Sequence, residues 1–301
     1  MWFRNLQVYR LPAGWTVDLA RFEEQLARHA LPGCGSMDMQ SAGWTSPRGD
    51  GRFLHSLERQ ILVSFGQEQK LLPAAIVNQV AKDRAADISA EQGRPVGRRE
   101  LREIRERVTD ELLPRAFVRR RSTWAWIDPV HGWLVVDAAA RGKAEELLGQ
   151  LVKNVEDLPA RLLRTRLSPG AAMTDWLTAG EAPSGFSLDR DLELRAPGDE
   201  RATVRYVRHA LEGEEIRDHI AQGKQATRLG MTWNDRISFV LTEDLQIKRL
   251  VFLDILKEEV ADQADTEEER FDLDFALMAG ELARLLADLV EALGGEMRVD
   301  G

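Results

Sequence analysis

The stretch whose reading decides the fold runs from Arg94 to Trp133, RPVGRRELREIRERVTDELLPRAFVRRRSTWAWIDPVHGW. In its first part Leu101, Ile104, Val108 and Leu112 share one helical stripe and Arg98, Arg102 and Arg105 another, which predicts an amphipathic helix. Pro114 disfavours helical geometry at Leu113, so the chain should bend there and present Arg115, Ala116 and Phe117 in a new direction. Trp124 to Asp128 and Trp133 to Asp137 then predict a hairpin around Pro129-Val130-His131-Gly132. Its Trp side chains alternate with aliphatic ones as a half-buried sheet requires, so they read as core rather than as base-stacking platforms. Between Arg94 and Arg121 ten Arg face five acids, a local +5 in a chain of net charge -9, so the remainder carries -14. Such segregation points to a local field that holds a polyanion, against the plainer reading of a solvated surface helix.

Working outward towards the start, Phe3 to Arg10 reads as a strand, and Asp18 caps a helix carrying Leu19, Phe22 and Leu26. Gly33-Cys34-Gly35-Ser36 follows a helix and lacks the Walker lysine, so it is a turn and not a phosphate loop. Gln60 to Phe65 and Lys70 to Leu72 predict two separate strands, and a helix follows from Pro73 to about Ala90. With the Arg-rich helix beyond the Gly93 to Gly97 break, it forms a helical hairpin inserted between strands.

Towards the other end, Lys143 to Val155 is a helix, and a soft boundary falls near Pro159. Met173 to Leu177 and Glu214 to Ala221 are helices, Val204 to Val207 is a strand, and Arg236 to Leu241 pairs with Gln246 to Phe252. Thr266 with Glu269 makes a capping box ahead of Phe271, Phe275, Met278, Leu282, Leu285, Leu289 and Leu293, a core-facing helix stopped by Gly294-Gly295. From Asp254 to Gly301 fifteen acids face four bases, so this section should lie away from any polyanion.

Length and composition bound the function. With 301 residues, 44% apolar and 30% charged, the chain can bury a substantial core, and no apolar run nears the roughly 20 residues of a membrane helix. The start of the chain lacks a signal peptide's features and its one Cys34 allows no internal disulfide, which fits a cytoplasmic protein without membrane contact. The five His are scattered, the Asp265 to Asp274 run lacks a calcium-loop glycine, and Asp272 and Asp274 complement a helix start, so no metal or cofactor is expected. No nucleophile elbow, Walker or kinase sequence occurs, so no enzyme is expected either. Bases recur instead at Arg115, Arg119, Arg120 and Arg121, at Arg205 and Arg208, at Lys224 and Arg228, and at Lys248 and Arg249. Without a base-reading motif, such groups predict phosphate contact with little dependence on nucleic-acid sequence.

Six strings then point to a family: WFRNLQVYRL from Trp2, CGSMDMQSAGW from Cys34, LLPRAF from Leu112, WIDPVHGWLVVDAA from Trp126, EEIRDHIAQGK from Glu214, and RFDLDFALMAGELARLLADLVEALGGE from Arg270. In order and over essentially the whole chain they resemble RdgC, the recombination-associated protein family. The resemblance implies an α+β fold, a horseshoe-shaped monomer with mixed sheets and an inserted helical hairpin, and two such monomers paired at both ends into a ring-shaped homodimer. It implies a central sheet-containing region over 1–75 and 119–160, a helical tip over 76–118 making one dimer contact, and a base region over 161–301 making the other. It also implies non-enzymatic, sequence-independent binding of double-stranded DNA in the cytoplasmic nucleoid, limiting RecA-driven strand exchange in recombination and replication fork repair.

By the same resemblance Phe117 is the dimer-contact phenylalanine, and Arg208 and His209 stand where DNA binding would place a Lys-Gln pair. Here the sequence departs, since a neutral His carries only part of a charge near pH 7. Together with the charge reading, this gives Arg115, Arg119, Arg205, Arg208, His209, Lys224 and Arg228 as the expected DNA-binding set. Two other readings stand beside it: a protein-interaction module using the acidic face with incidental DNA contact, and an open dimer that coats DNA.

Overall fold

The computed structural model describes residues 2–198, 201–254, 256 and 264–297. The rest of the acidic C-terminal section, at 255, 257–263 and 298–301, lies outside the described residues, so its expected segregation is followed only through 264–297.

Strand β1 (Leu6–Arg10) holds the centre of the molecule, because both halves of one twelve-stranded sheet meet on it. On one side it pairs with β6 (Trp133–Asp137), followed by β5 (Phe117–Asp128), β4 (Gln60–Leu71) and β2 (Gln40–Thr45). On the other come β12 (Ile247–Phe252), β11 (Ile237–Thr242), β10 (Gln225–Trp233), β8 (Phe186–Arg195) and β9 (Thr203–Tyr206). Short β3 (Leu54–Leu57) and β7 (Arg161–Leu162) pair with β4 and β1. Seven α-helices complete the described residues: α1 (Leu19–Ala27), α2 (Ala74–Gln92), α3 (Arg98–Leu112), α4 (Arg141–Asn154), α5 (Pro169–Ala179), α6 (Glu214–Ala221) and α7 (Glu267–Ala292). The fold is therefore α+β, as expected. Mixed sheets are not what forms: every ladder between the strands is antiparallel, because tight turns such as those joining β5 to β6 and β10 to β11 reverse the chain between neighbours.

Two strands are longer than their hydrophobic patterns predict. Gln60 to Phe65 and Lys70 to Leu72 are not separate strands: one strand, β4, runs from Gln60 to Leu71, leaving Leu72 outside it, and continues through Gly66 to Gln69 because β2 and β5 bond to it on both edges. Gly66 is needed there, since a Cβ would sit 2.6 Å from Thr45 Cγ2 and 3.0 Å from Leu31 Cδ2. Strand β5 likewise begins at Phe117, directly after the turn that Pro114 imposes, and carries the exposed run Val118 to Ser122 before its buried end. The helical hairpin of α2 and α3 stands between β4 and β5 as expected, on a small core of Val77, Ala81, Ile104 and Val108.

Alternation along the strands splits the main core in two. Leu6, Val8, Leu62, Trp126 and Val135 point to one face, where α5 and the Phe275, Met278, Leu282 and Leu285 stripe of α7 cover them. Tyr9, Ile61, Val63, Phe65, Ala125, Ile127 and Val136 point to the other, under Phe22 and Leu26 of α1 and Ala144, Leu147 and Leu151 of α4. Past β1 only the first face remains covered: among the described residues no helix packs on the second face of β12, β11, β10 and β8. The α7 start forms as its capping box predicts, with Thr266 accepting from the Glu269 N–H at 3.1 Å. No helix among the described residues is long and apolar enough to cross a membrane.

Candidate nucleic-acid interface

The uncovered face is built from the positions that alternate with the core. Leu6 pairs with Ile247 and Leu229 with Leu241, all facing α7, so Lys248, Val240, Arg228, Glu193 and Arg205 emerge on the opposite side. Register sets Glu193 between Arg205 on β9 and Arg228 on β10. Arg205, Arg228, Lys248 and Arg249 line one groove on this face, with Asn5, Val240, Tyr206 and the acids Asp191 and Glu193.

Glu193 is buried and ionised. Burial pulls its carboxyl upward, but the bonds from Arg205 and Thr227 and the charge of Arg228 hold it below the usual carboxylate range. Arg205 donates to Oε2 through Nε at 3.1 Å and through Nη2, and Arg195 Nη2 and the Thr227 hydroxyl donate to Oε1 at 3.2 and 2.9 Å. Arg249 reaches Asp191 at 3.3 Å, whereas Lys248 has no carboxylate within ion-pair distance among the described residues.

A second basic patch lies on the same sheet face at its other end. Arg119 and Arg121 share their face of β5 with Thr123 and Ala125, and they line a cleft with Lys143 of α4, Gln67, Gln69, Glu68 and Glu146. Arg119 donates to Gln69 Oε1 at 3.1 Å, and among the described residues Arg121 has no carboxylate within ion-pair distance. Arg120 points the other way, onto Glu68 Oε1 at 2.9 and 2.6 Å. Glu68 also accepts from the Cys34 N–H at 2.8 Å, so a carboxylate, not a phosphate, occupies the turn that superficially resembled a phosphate loop. The helical hairpin spends much of its charge internally, through Arg84 with Glu111, Arg94 with Glu100, Arg99 with Glu103 and Arg102 with Glu106.

Comparison with known proteins assigns the lineage. A family model described as "Putative exonuclease, RdgC" matches residues 1–296. The recombination-associated protein RdgC of Janthinobacterium sp. (strain Marseille) is 56% identical over 297 residues, covering 99% of both chains. That of Herminiimonas arsenicoxydans is 56% identical over 98% of this chain and 99% of its own. That of Dechloromonas aromatica (strain RCB) is 54% identical over 99% of each. The chain belongs to the RdgC family.

For this RdgC family member the expected site residues divide into three places. Arg205 and Arg228 line the groove, Arg119 lies in the second cleft, and Arg115 is exposed on the turn before β5. Arg208 has a left-handed backbone (φ 53°) and its N–H bonds Asp191, but its side chain is not part of the groove wall. His209 donates through Nδ1 to the Ala210 carbonyl at 2.7 Å and packs its ring 5.2 Å from that of Tyr206. Lys224 sits apart, with Nζ 3.1 Å from His219 Nδ1 and 3.2 Å from Gln222 Oε1. Phe117 is 83% exposed, which excludes a core role within one chain, and Leu71, its pair partner on β4, is exposed beside it. Sequence reading left Glu193 out altogether and put Lys248 and Arg249 outside the site. In β12 the buried Ile247 and Leu250 stand three residues apart, so alternation is broken between them and the local pattern does not place Lys248 and Arg249 on the sheet.

Proposed function

We propose that this chain binds double-stranded DNA without reading its sequence, as one arm of a ring-shaped homodimer of horseshoe-shaped monomers. Its role would be recombination-associated, limiting RecA-driven strand exchange at the nucleoid of the cytoplasm and at forks under repair. The observation that carries the reading is the bare sheet face, where Arg205, Arg228 and Lys248 at one end and Arg119 and Arg121 at the other project from the strands, with no helix among the described residues above the first group. Side chains on a rigid sheet can meet a phosphate backbone at many points, while none is arranged to probe base edges. The exposed Phe117 and Leu71 suit a contact between two copies at the helical tip, and the region around α7 would make the other.

Binding of this kind is topological and electrostatic and involves no bond cleavage. Duplexes of unrelated sequence should bind alike, and log affinity should fall against log salt by about 0.9 for each phosphate neutralised. On a closed ring, covalently circular duplex should load and leave more slowly than linear duplex of the same length. End-labelled linear duplex should stay full length in Mg²⁺ or Mn²⁺. Progressive shortening of that duplex would favour an exonuclease, and a flat salt response would favour a protein-interaction role with incidental DNA contact.

A further inference from the structure

Glu193 is the buried carboxylate of the groove, which Asp191 also lines on the Arg249 side, and its own polar partners are bases and a hydroxyl donor. Arg205 spends two of its N–H groups on Oε2, Arg195 and Thr227 donate to Oε1, and Arg228 Nε lies 3.9 Å from Oε1. The acid is sealed in, with 5% of its side chain exposed, while Arg205 and Arg228 keep 57% and 43%. The cations therefore stand between this anion and solvent, the order in which a phosphate arriving from outside would meet them. Glu243 takes up the other end of Arg195 at 2.9 Å, which leaves Arg205 and Arg228 as the outward-facing pair.

We infer that Glu193 is a resident counter-anion of the groove: it occupies Arg205 in the free protein, and a backbone phosphate binds there by drawing the guanidinium away from it. The inference rests on the proposed DNA binding and adds a residue that lowers affinity by design. A guanidinium pairs with carboxylate and phosphate through the same planar fork, so the two anions compete for one set of donors. Because Glu193 stays ionised at neutral pH, the competition is always present, and each phosphate contact at Arg205 is made at the expense of an existing one.

Glu193→Gln keeps the shape and the acceptor for Thr227 and removes the charge. Duplex affinity should rise by on the order of eightfold at about 0.1 M salt, the scale of one phosphate contact, with the salt slope unchanged because Arg205 meets a phosphate in both proteins. In an Arg205→Ala background the same change should give no gain, because the freed guanidinium is missing. Equal or weaker binding by Glu193→Gln with an unchanged melting temperature would overturn the inference, as would an undiminished gain in the Arg205→Ala background. Should Glu193→Gln melt early, Glu193→Asp, which retains the charge, serves as the second variant: parental affinity and slope are expected, and an eightfold gain there would equally overturn the inference. The DNA reading is tested separately by Lys248→Ala, which touches no part of this cluster. If Lys248→Ala and the parent show no salt-dependent duplex binding, the proposed function fails, whatever Glu193 does.

Discussion

The second face of the sheet is built in two ways on either side of β1. Over β4, β5 and β6 the positions facing that side are Ile61, Val63, Phe65, Ala125, Ile127 and Val136, and α1 and α4 close over them. Over β12, β10, β8 and β9 the equivalent positions are Lys248, Arg228, Glu193 and Arg205, and no described helix covers them. Both halves are antiparallel ladders, continuous over β4, β5 and β6 and interrupted by register shifts in β8–β10 and β11–β12, and their alternate residues differ. The same ladder thus yields a folding core where they are apolar and a solvent-facing charged surface where they are not, and the two can be altered independently. Strand β5 contains both in one element, exposed from Phe117 to Ser122 and buried from Ala125 to Asp128.

The largest effect should come from the covered half. Trp126 is fully buried against α7 and donates Nε1–H to Gln60 at 2.7 Å, so Trp126→Ala should cost about 3–5 kcal/mol of unfolding free energy, measured by chemical denaturation. Its loss of DNA binding should merely follow the loss of folded protein. Next is Glu281 on α7, fully buried and bonded by Arg236 through Nε and Nη2, both at 3.1 Å. Glu281→Ala should destabilise by about 2 kcal/mol, since Arg236 keeps partial access to solvent, and a double-mutant cycle with Arg236 should show coupling.

Phe117→Ser tests the exposed half of β5. Melting should change by less than about 0.5 kcal/mol, while association between copies weakens by about 2 kcal/mol in sedimentation and duplex binding falls with it. Early melting instead would erase the contrast between the two halves of that strand. On the bare face, Lys248→Ala should leave stability within about 0.5 kcal/mol and reduce the salt slope of duplex binding by roughly 1 for every sequence tested. The smallest effect concerns acid. The Cys34 N–H, with Arg120, holds the Glu68 carboxyl below its ordinary range, so its contribution is present in full above the unfolded value near 4.3 and is lost as pH falls through the lower folded value. Glu68→Gln should therefore flatten the acid limb of a melting-temperature profile and leave its neutral plateau slightly lower.

Legibility in the sequence follows the same division. Elements with one apolar stripe could be read directly: α1 with its Asp18 cap, α3, α7 with its capping box, and the β5–β6 and β11–β12 hairpins. Strands whose character comes from their neighbours could not. β2 (QSAGWT) and β8 (FSLDRDLELR) are too polar to announce themselves and are strands because β4 and β10 supply the ladder. The basic residues were visible as a list, but their grouping was not. Arg205 and Arg228 meet only because Glu193 lies between them in register, and nothing in the local pattern marks Lys224 as standing apart.

The position of β1 also sets an order of events. Its partners Leu6 and Ile247 lie about 240 residues apart, so at synthesis rates of about 5–20 residues per second β1 waits roughly 10–50 s for β12 to exist. During that interval the Leu6 end of one edge of β1 is unpaired, while β7 pairs the same edge at Tyr9 and Arg10. Pairing with β6 can occur far earlier, and the covered half can form around it while the bare half is still unmade. The protein should accordingly fold in two stages on the ribosome, with an aggregation-prone edge in between, and slow, high-contact-order closure as the final step.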